Sequence, residues 1–499
     1  MKKSLKILFA IILLTLLGMF ITTVYARTEI VSDGAELTAA LNDAGVSVIL
    51  LEAGDFLVTP SFSINRALTI NTVGNADATI RRLSGNIFNV ANTVGSSLTI
   101  ENGPGGGSIT ISGNQNPGTG INLAGANSEV TIGDGVNITQ FGSSGIRATS
   151  GGTVTMNGTA RIHHNSSNTA GGGVAVEGGA LFIMNGGSID NNTAQSWGGG
   201  IRFHNGGTFR MYDGIVTGNI SHRGGGGFSG GGSEVNRGRL YVMGGVISNN
   251  TVTGLGDPTG SSFGGGGGIF ADGAAVVTVS SGRIYGNSVP YSAVGRGAGV
   301  FLNLAASLNL SGDAIIENNI GAPRGGGIHL NNVNSRLHMS GGTIRNNEAT
   351  NGGGIYVLDG RIYMTGGTIS GSNATEEGGG IRFHQPARIT ITDGVIEGNS
   401  ADNGGAIFVE HTNGTIPHFI IGEEVIFRNN TARVGRYVNN LAAAANLQIN
   451  PKIVTVYPHA FSNYDINVLS GNLVAIITFE VRNGARRNSC RRRSNCFRN

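Results

Sequence analysis

The chain has 499 residues, 86 of them glycine and 10 proline, with 13% charged and 39% hydrophobic. Glycine far above its average share of about 7%, without a Gly-X-Y period, excludes collagen, and the apolar content excludes a disordered linker. The formal charge of +3 divides into Lys2, Lys3 and Lys6 at the start, seven arginines in residues 481–499, and 23 basic against 30 acidic residues between them; a body at −7 lacks the basic surface of a nucleic-acid binder.

In chain order, residues 1–26 read as an export signal: three lysines, an apolar run over 7–24, and small residues around Ala26. The product is then secreted or held at the cell surface, with no transmembrane segment after cleavage. The alternative is an uncleaved anchor, since the run approaches the length of a membrane span. Residues 33–44 (DGAELTAALNDA) predict a short helix with Ser32 or Asp33 as N-cap, followed by strands near 48–52 and 67–70. Residues 27–95 thus form an N-terminal cap and first coils, covering an edge that would otherwise invite end-to-end pairing.

Residues 96–435 are repetitive. A glycine cluster precedes an apolar residue at Val174, Ile201, Phe228, Ile269, Val300, Ile328, Ile355, Ile381 and Ile407, with spacings of 27, 27, 41, 31, 28, 27, 26 and 26. A second apolar series interleaves with it at Ile138, Ile162, Ile189, Val216, Ile247, Ile284, Ile316, Ile344, Ile369, Ile396 and Ile426. Alternation such as IRFH at 201–204 and 381–384 means short strands, and a unit that cannot bury its apolar face alone must stack on its neighbours. The expectation is an all-β chain: a single-stranded right-handed parallel β-helix, or solenoid, of about 11–14 coils with a short N-terminal capping helix, monomeric. Three residues after the second series stand Asn165, Asn192, Asn219, Asn250, Asn287, Asn319, Asn347, Asn399 and Asn429, with Asn373 shifted by one. They predict a structural amide ladder along the axis. The rival reading is N-glycosylation, because Asn191, Asn219, Asn249 and Asn429 fall in N-x-S/T.

Residues 436–480 read as a C-terminal cap. Residues 481–499 form a basic tail carrying the only cysteines, Cys490 and Cys496, so the body has neither disulfide nor thiolate metal site. The tail is either a contact for an anionic surface or a truncated or frame-shifted end.

The helix, the VILLEAGDF stretch at 48–56 and Leu68-Thr-Ile70 resemble the N-terminal cap of the pectate-lyase-like right-handed parallel β-helix superfamily. The coils resemble the surface repeats of polymorphic outer membrane proteins and adhesin-like proteins. Those repeats pair Gly-Gly-Ala-Ile with Phe-x-x-Asn, as in Gly404-Gly-Ala-Ile407 and Phe427-Arg-Asn-Asn430 here. The resemblance implies the fold and export; the polymorphic proteins also end in a membrane β-barrel, which nothing after residue 480 supplies.

If the first series points inward, the next residue of each strand points outward. That column includes Phe270, Phe301, His329, Tyr356 and Phe408, an aromatic stripe expected to contact polysaccharide or host or neighbour-cell glycans. The rival reading is that turn loops cover the stripe. As an outward residue, His329 should tolerate replacement at little cost. Catalytic candidates are Asp359, Arg382, His384 and Glu410 beside Tyr356, which supply acids, a base and a cation within about three coils but match no family motif. No cofactor or metal is expected. The functional expectation is an adhesin or glycan-contacting scaffold. The alternatives are a polysaccharide lyase or glycoside hydrolase on the same fold, and a purely structural surface element.

Overall fold

The computed structural model describes residues 27–231, 233, 237–254, 264–290, 295–384, 386–411, 418–433 and 466–470. The chain winds into a parallel β-solenoid of about 13 turns with one short helix. One turn shows the plan. Val174–Glu177 runs along one side, Gly178 and Gly179 reverse the direction, and Leu181–Met184 and Ser188–Asp190 run along the next sides. A left-handed turn at Asn191 leads into Thr193–Ala194, and a glycine corner delivers the chain to Ile201–His204, one layer up.

Both apolar series become vertical columns. Val174, Ile201, Phe228, Ile269, Val300, Ile328, Ile355, Ile381 and Ile407 pair in register, parallel, from coil to coil. All are fully buried. The extra residues behind the 41- and 31-residue spacings therefore leave the register intact. The second series stacks likewise up to Ile396, but the last partner of Ile396 is Phe427, not Ile426. Ile426 is exposed.

That one-residue slip corrects the last rung of the asparagine ladder. Asn165, Asn192, Asn219, Asn250, Asn287, Asn319 and Asn347 stack as expected, each Nδ2 from Asn165 to Asn319 donating to the next Oδ1 at 2.9–3.0 Å. Each also donates to a carbonyl of the preceding coil, as Asn192 does to Ile162 at 2.9 Å. Then Ser372 occupies the column in place of an asparagine, and Asn399 donates to Asn430 at 3.0 Å. Asn429 is a turn residue with φ of 56°, and Asn373 faces out, accepting from the Ser400 hydroxyl.

At the first coils, helix Gly34–Asn42 packs Leu37, Ala40 and Leu41 against the solenoid end. Asp33 is the N-cap, accepting from the Ala35 and Glu36 amides at 2.8 Å, and Glu36 reaches back to the Ser32 amide. This is a reciprocal cap of the kind that satisfies orphan donors. Arg66 donates to the Ala40 and Leu41 carbonyls at the other end of the helix. The export signal, the basic tail and nearly all of the expected C-terminal cap lie outside the described residues; Ile466–Ser470 pairs in parallel with Ile407–His411. Among the described residues no helix is long and apolar enough to cross a membrane.

Candidate functional site

The aromatic stripe is in register as expected, Phe270 on Phe301 on His329 on Tyr356, with Arg382 between Tyr356 and Phe408. It is not an open surface: Phe270, Tyr356 and Phe408 are 2% exposed, Phe301 and His329 0%. The glycine corner is the cause. In each coil a glycine with φ near 57–71° (Gly266, Gly297, Gly325, Gly352, Gly378, Gly404) folds the chain back over the outward face. The residue before the glycine then covers the stripe. Trp197 stacks on Phe270 at 5.0 Å between centroids, Arg296 lies over Phe301, and Arg324 over Tyr356. A side chain can point away from the core and still be buried under its own chain. The expectation of low cost for replacing His329 falls with it.

The catalytic candidates divide. Arg382, His384 and Glu410 are brought together with Tyr356 and with Glu377, which the sequence reading did not single out. Arg382 donates to Glu410, to Glu377 at 3.2 Å and to the Tyr356 hydroxyl at 2.8 Å. The Tyr356 hydroxyl meets His384 Nε2 at 2.7 Å, and His384 Nδ1 meets Glu410 at 2.7 Å. Burial, with Arg382 and Arg324 nearby, pushes His384 down to about 3. Glu410 is already committed to Arg382, so it accepts from a neutral imidazole rather than holding a second cation. Burial raises the carboxyl of Glu377 and the hydroxyl of Tyr356 above their usual ranges. Asp359 does not join: no hydrogen bond links it to this ring, and its buried Oδ1 has no partner.

This ring has a carboxylate–imidazole–hydroxyl order, but the side-chain contacts of Tyr356, Arg382, His384 and Glu410 all go to other members. Arg382 lies between the two glutamates, where a glycosidase would need room for a scissile bond. Tyr356 and Arg382 are both buried. The geometry is that of a lock between three coils.

A site missed in the sequence lies near the other end. A cleft of about 1020 Å³ opens over residues 79–193, with no carboxylate, lysine or arginine among its lining side chains. Its floor includes the hydroxyls of Thr79, Thr110 and Thr139, and one wall is the 113–119 segment through Gln115 and Pro117. His163 and His164 approach at 2.7 Å between Nδ1 atoms, and burial beside Arg161 pushes His163 down to about 4, so one imidazole donates to the other. Arg161 itself is held by a bidentate contact to Asp190.

The exposed rim residues Gln140 and His164 depart from a rule of the fold. Two residues after each anchor of the second series, φ is positive in every coil from Ile138 to Phe427. The position is Asn or Gly nine times: Asn191, Gly218, Asn249, Gly286, Asn318, Asn346, Gly371, Gly398, Asn429. Only Gln140 (φ 61°) and His164 (φ 52°) differ, and both line the cleft. Strained backbone of this kind costs about 1–3 kcal/mol and gathers at functional sites.

Among the described residues no group of three or more His, Cys, Asp or Glu is placed to hold a metal ion. No family model matches the chain, and neither a curated protein nor a solved structure does.

Proposed function

We propose that this is an exported, surface-displayed or secreted β-helix scaffold of the pectate-lyase-like kind that contacts glycans through the cleft at Gln140 and His164. The observation that carries the reading is the cleft's chemistry together with its strained rim. Hydroxyl and amide groups and the imidazoles of His163 and His164 line a concave surface without carboxylate, lysine or arginine side chains, which suits sugar hydroxyls. Two side chains there are kept in a conformation that asparagine or glycine would adopt more cheaply. The export signal and the resemblance of the coils to adhesin-like surface repeats support the location.

The test is an array of neutral oligosaccharides probed with the purified chain. We expect retention that the double substitution Gln140→Asn, His164→Gly weakens about tenfold or more, without lowering the melting temperature, because both changes relieve strain. Failure to retain any neutral glycan, or retention indifferent to the two changes, sinks the cleft reading. Turnover of a retained glycan that Glu410→Gln abolishes would instead favour the lyase or hydrolase alternative.

A further inference from the structure

In an extended strand, successive side chains point to opposite faces, so neighbours in sequence do not meet. Arg161–His163 is such a strand: Ile162 is buried in the core, and Arg161 and His163 flank it on the outward face. The next residue breaks the alternation. His164 has φ of 52°, and this left-handed turn swings its ring to the side that His163 already occupies. The two imidazoles stand edge to face, 5.0 Å between centroids and 85° between planes, and their Nδ1 atoms come within 2.7 Å. The coils on either side carry Thr139-Gln140 and Asp190-Asn191 at the same two positions, in register with His163 through Thr139 and Asp190.

The fold does not require a histidine here. Asparagine or glycine makes this turn in nine other coils and adopts the left-handed conformation more cheaply. Nor does the contact between the rings account for the strain. His163 is half-buried and His164 exposed, so water replaces a hydrogen bond between them at little loss. What the strained turn does achieve is convergence: two imidazole nitrogens aimed at one point beside open solvent.

We infer that His163 and His164 together hold a divalent transition-metal ion, copper(II), through their Nδ1 atoms. Nitrogens 2.7 Å apart, each about 2.0 Å from an ion, subtend roughly 80–85° at it. That is close to the cis angle of a tetragonal copper(II) site and far from the roughly 109° of tetrahedral zinc. Copper(II) also binds a given set of nitrogen donors more tightly than the other divalent ions of its row. The neighbouring charge of Arg161 is taken up by Asp190, through contacts of 2.8 and 2.6 Å. Water completes the coordination from the open side, and the Thr139 hydroxyl, 3.4 Å from His163 Nδ1, is placed to orient it. Both Nδ1 lone pairs are needed, so the ring that donates within the pair takes its other neutral tautomer, with the proton on Nε2, and no net proton is released. The site shares His164 with the proposed glycan cleft but does not rest on glycan binding.

The test is titration of the full, untagged chain with copper(II) chloride, in the absence of any glycan, followed by electron paramagnetic resonance. A tight equivalent with a tetragonal spectrum and coupling to two imidazole nitrogens is expected, and zinc chloride should bind about tenfold or more weaker by calorimetry. His163→Gln and His164→Asn should each weaken copper binding about tenfold or more. His164→Asn restores a residue that the turn prefers, so its melting temperature should not fall, which separates loss of the ligand from loss of the fold. His222→Gln, elsewhere on the solenoid, should leave the spectrum unchanged. Three outcomes overturn the inference: no tight equivalent of copper binds, the double variant His163→Gln, His164→Asn binds it as well as the parent, or zinc binds as tightly as copper. None of them bears on the retention of neutral glycans, which is measured without metal.

Discussion

Asn250 uses every hydrogen-bonding position of its amide. Nδ2 donates to the Val216 carbonyl and to Asn287 Oδ1, both at 3.0 Å, and Oδ1 accepts from the Asn219 backbone amide at 3.0 Å and its Nδ2 at 2.9 Å. No other side chain of this size supplies two donors and a doubly accepting oxygen in that geometry. Asn250→Leu should therefore cost about 1–3 kcal/mol in urea unfolding, since it strands buried donors of the neighbouring coil. The informative converse is Ser372, whose hydroxyl replaces an amide in the column; Asn347 Nδ2 there donates to the Ile316 carbonyl. Ser372→Asn should continue the ladder and add about 1 kcal/mol. A destabilised Ser372→Asn variant would mean that the rungs do not act as a chain. The ladder was legible in the sequence because it follows the apolar anchor at a constant offset. Its last rung was not: Ile426 and Phe427 are both apolar, and only the pairing with Ile396 decides which faces inward.

At the scale of the element, the glycine corner governs what the outward face can do. A Cβ on Gly352, whose φ is 66°, would stand 2.5 Å from the Ile355 carbonyl oxygen and 2.8 Å from Tyr356 Cβ. Gly179 has a similar φ of 81° but nothing within 4 Å. Gly179→Ala should thus cost only the left-handed penalty of about 1–2 kcal/mol, and Gly352→Ala clearly more, because backbone must also move. His329→Ala, expected from strand alternation to be nearly neutral, should now cost about 2 kcal/mol or more through lost packing with Phe301 and Tyr356. Equal melting temperatures for Gly179→Ala and Gly352→Ala would show that the corner does not press on the stripe. The alternation of IYV or IHL correctly says which residues face away from the core. It says nothing about a second layer of chain outside them, because that layer comes from glycines with no side chain to leave a pattern.

Across the whole molecule, acid should loosen the solenoid at both ends of its length. The pKa of His163 falls to about 4 and that of His384 to about 3 in the folded chain, against about 6.5 for an unfolded histidine. Between those values the unfolded chain holds more protons, so stability is full above about pH 6.5 and falls as pH drops towards 4. Glu377 and Asp359, whose carboxyls burial raises, oppose this trend, while Asp190 and Glu317, lowered by their arginine partners, lose their contribution only below the ordinary carboxylate range. Thermal melts from pH 7.5 to 4.5 should therefore show a falling midpoint, and His163→Gln with His384→Gln should flatten it. A midpoint that rises on acidification in the parent chain would mean that the raised carboxyls of Glu377 and Asp359 dominate.

The sequence by itself determined the solenoid and, short of the Ser372 position and the last coil, its register and its amide spine, because each depends on a residue type recurring once per coil. Period-two alternation and a shared spacing near 27 leave one way to bury the apolar positions, and the asparagines follow from the turn that the spacing requires. The strained rim was also within reach of the sequence: Gln140 and His164 interrupt a column of Asn and Gly two residues after each anchor. That the column is left-handed, and that the interruption costs energy, came only with the backbone. Tertiary structure alone decided which outward side chains meet solvent. The aromatic stripe and the column of Arg336, Arg361 and Arg388 are both outward, in-register and one strand position from the core. The first lies under a glycine corner and the second does not, a difference made by chain that folds back from outside the strand.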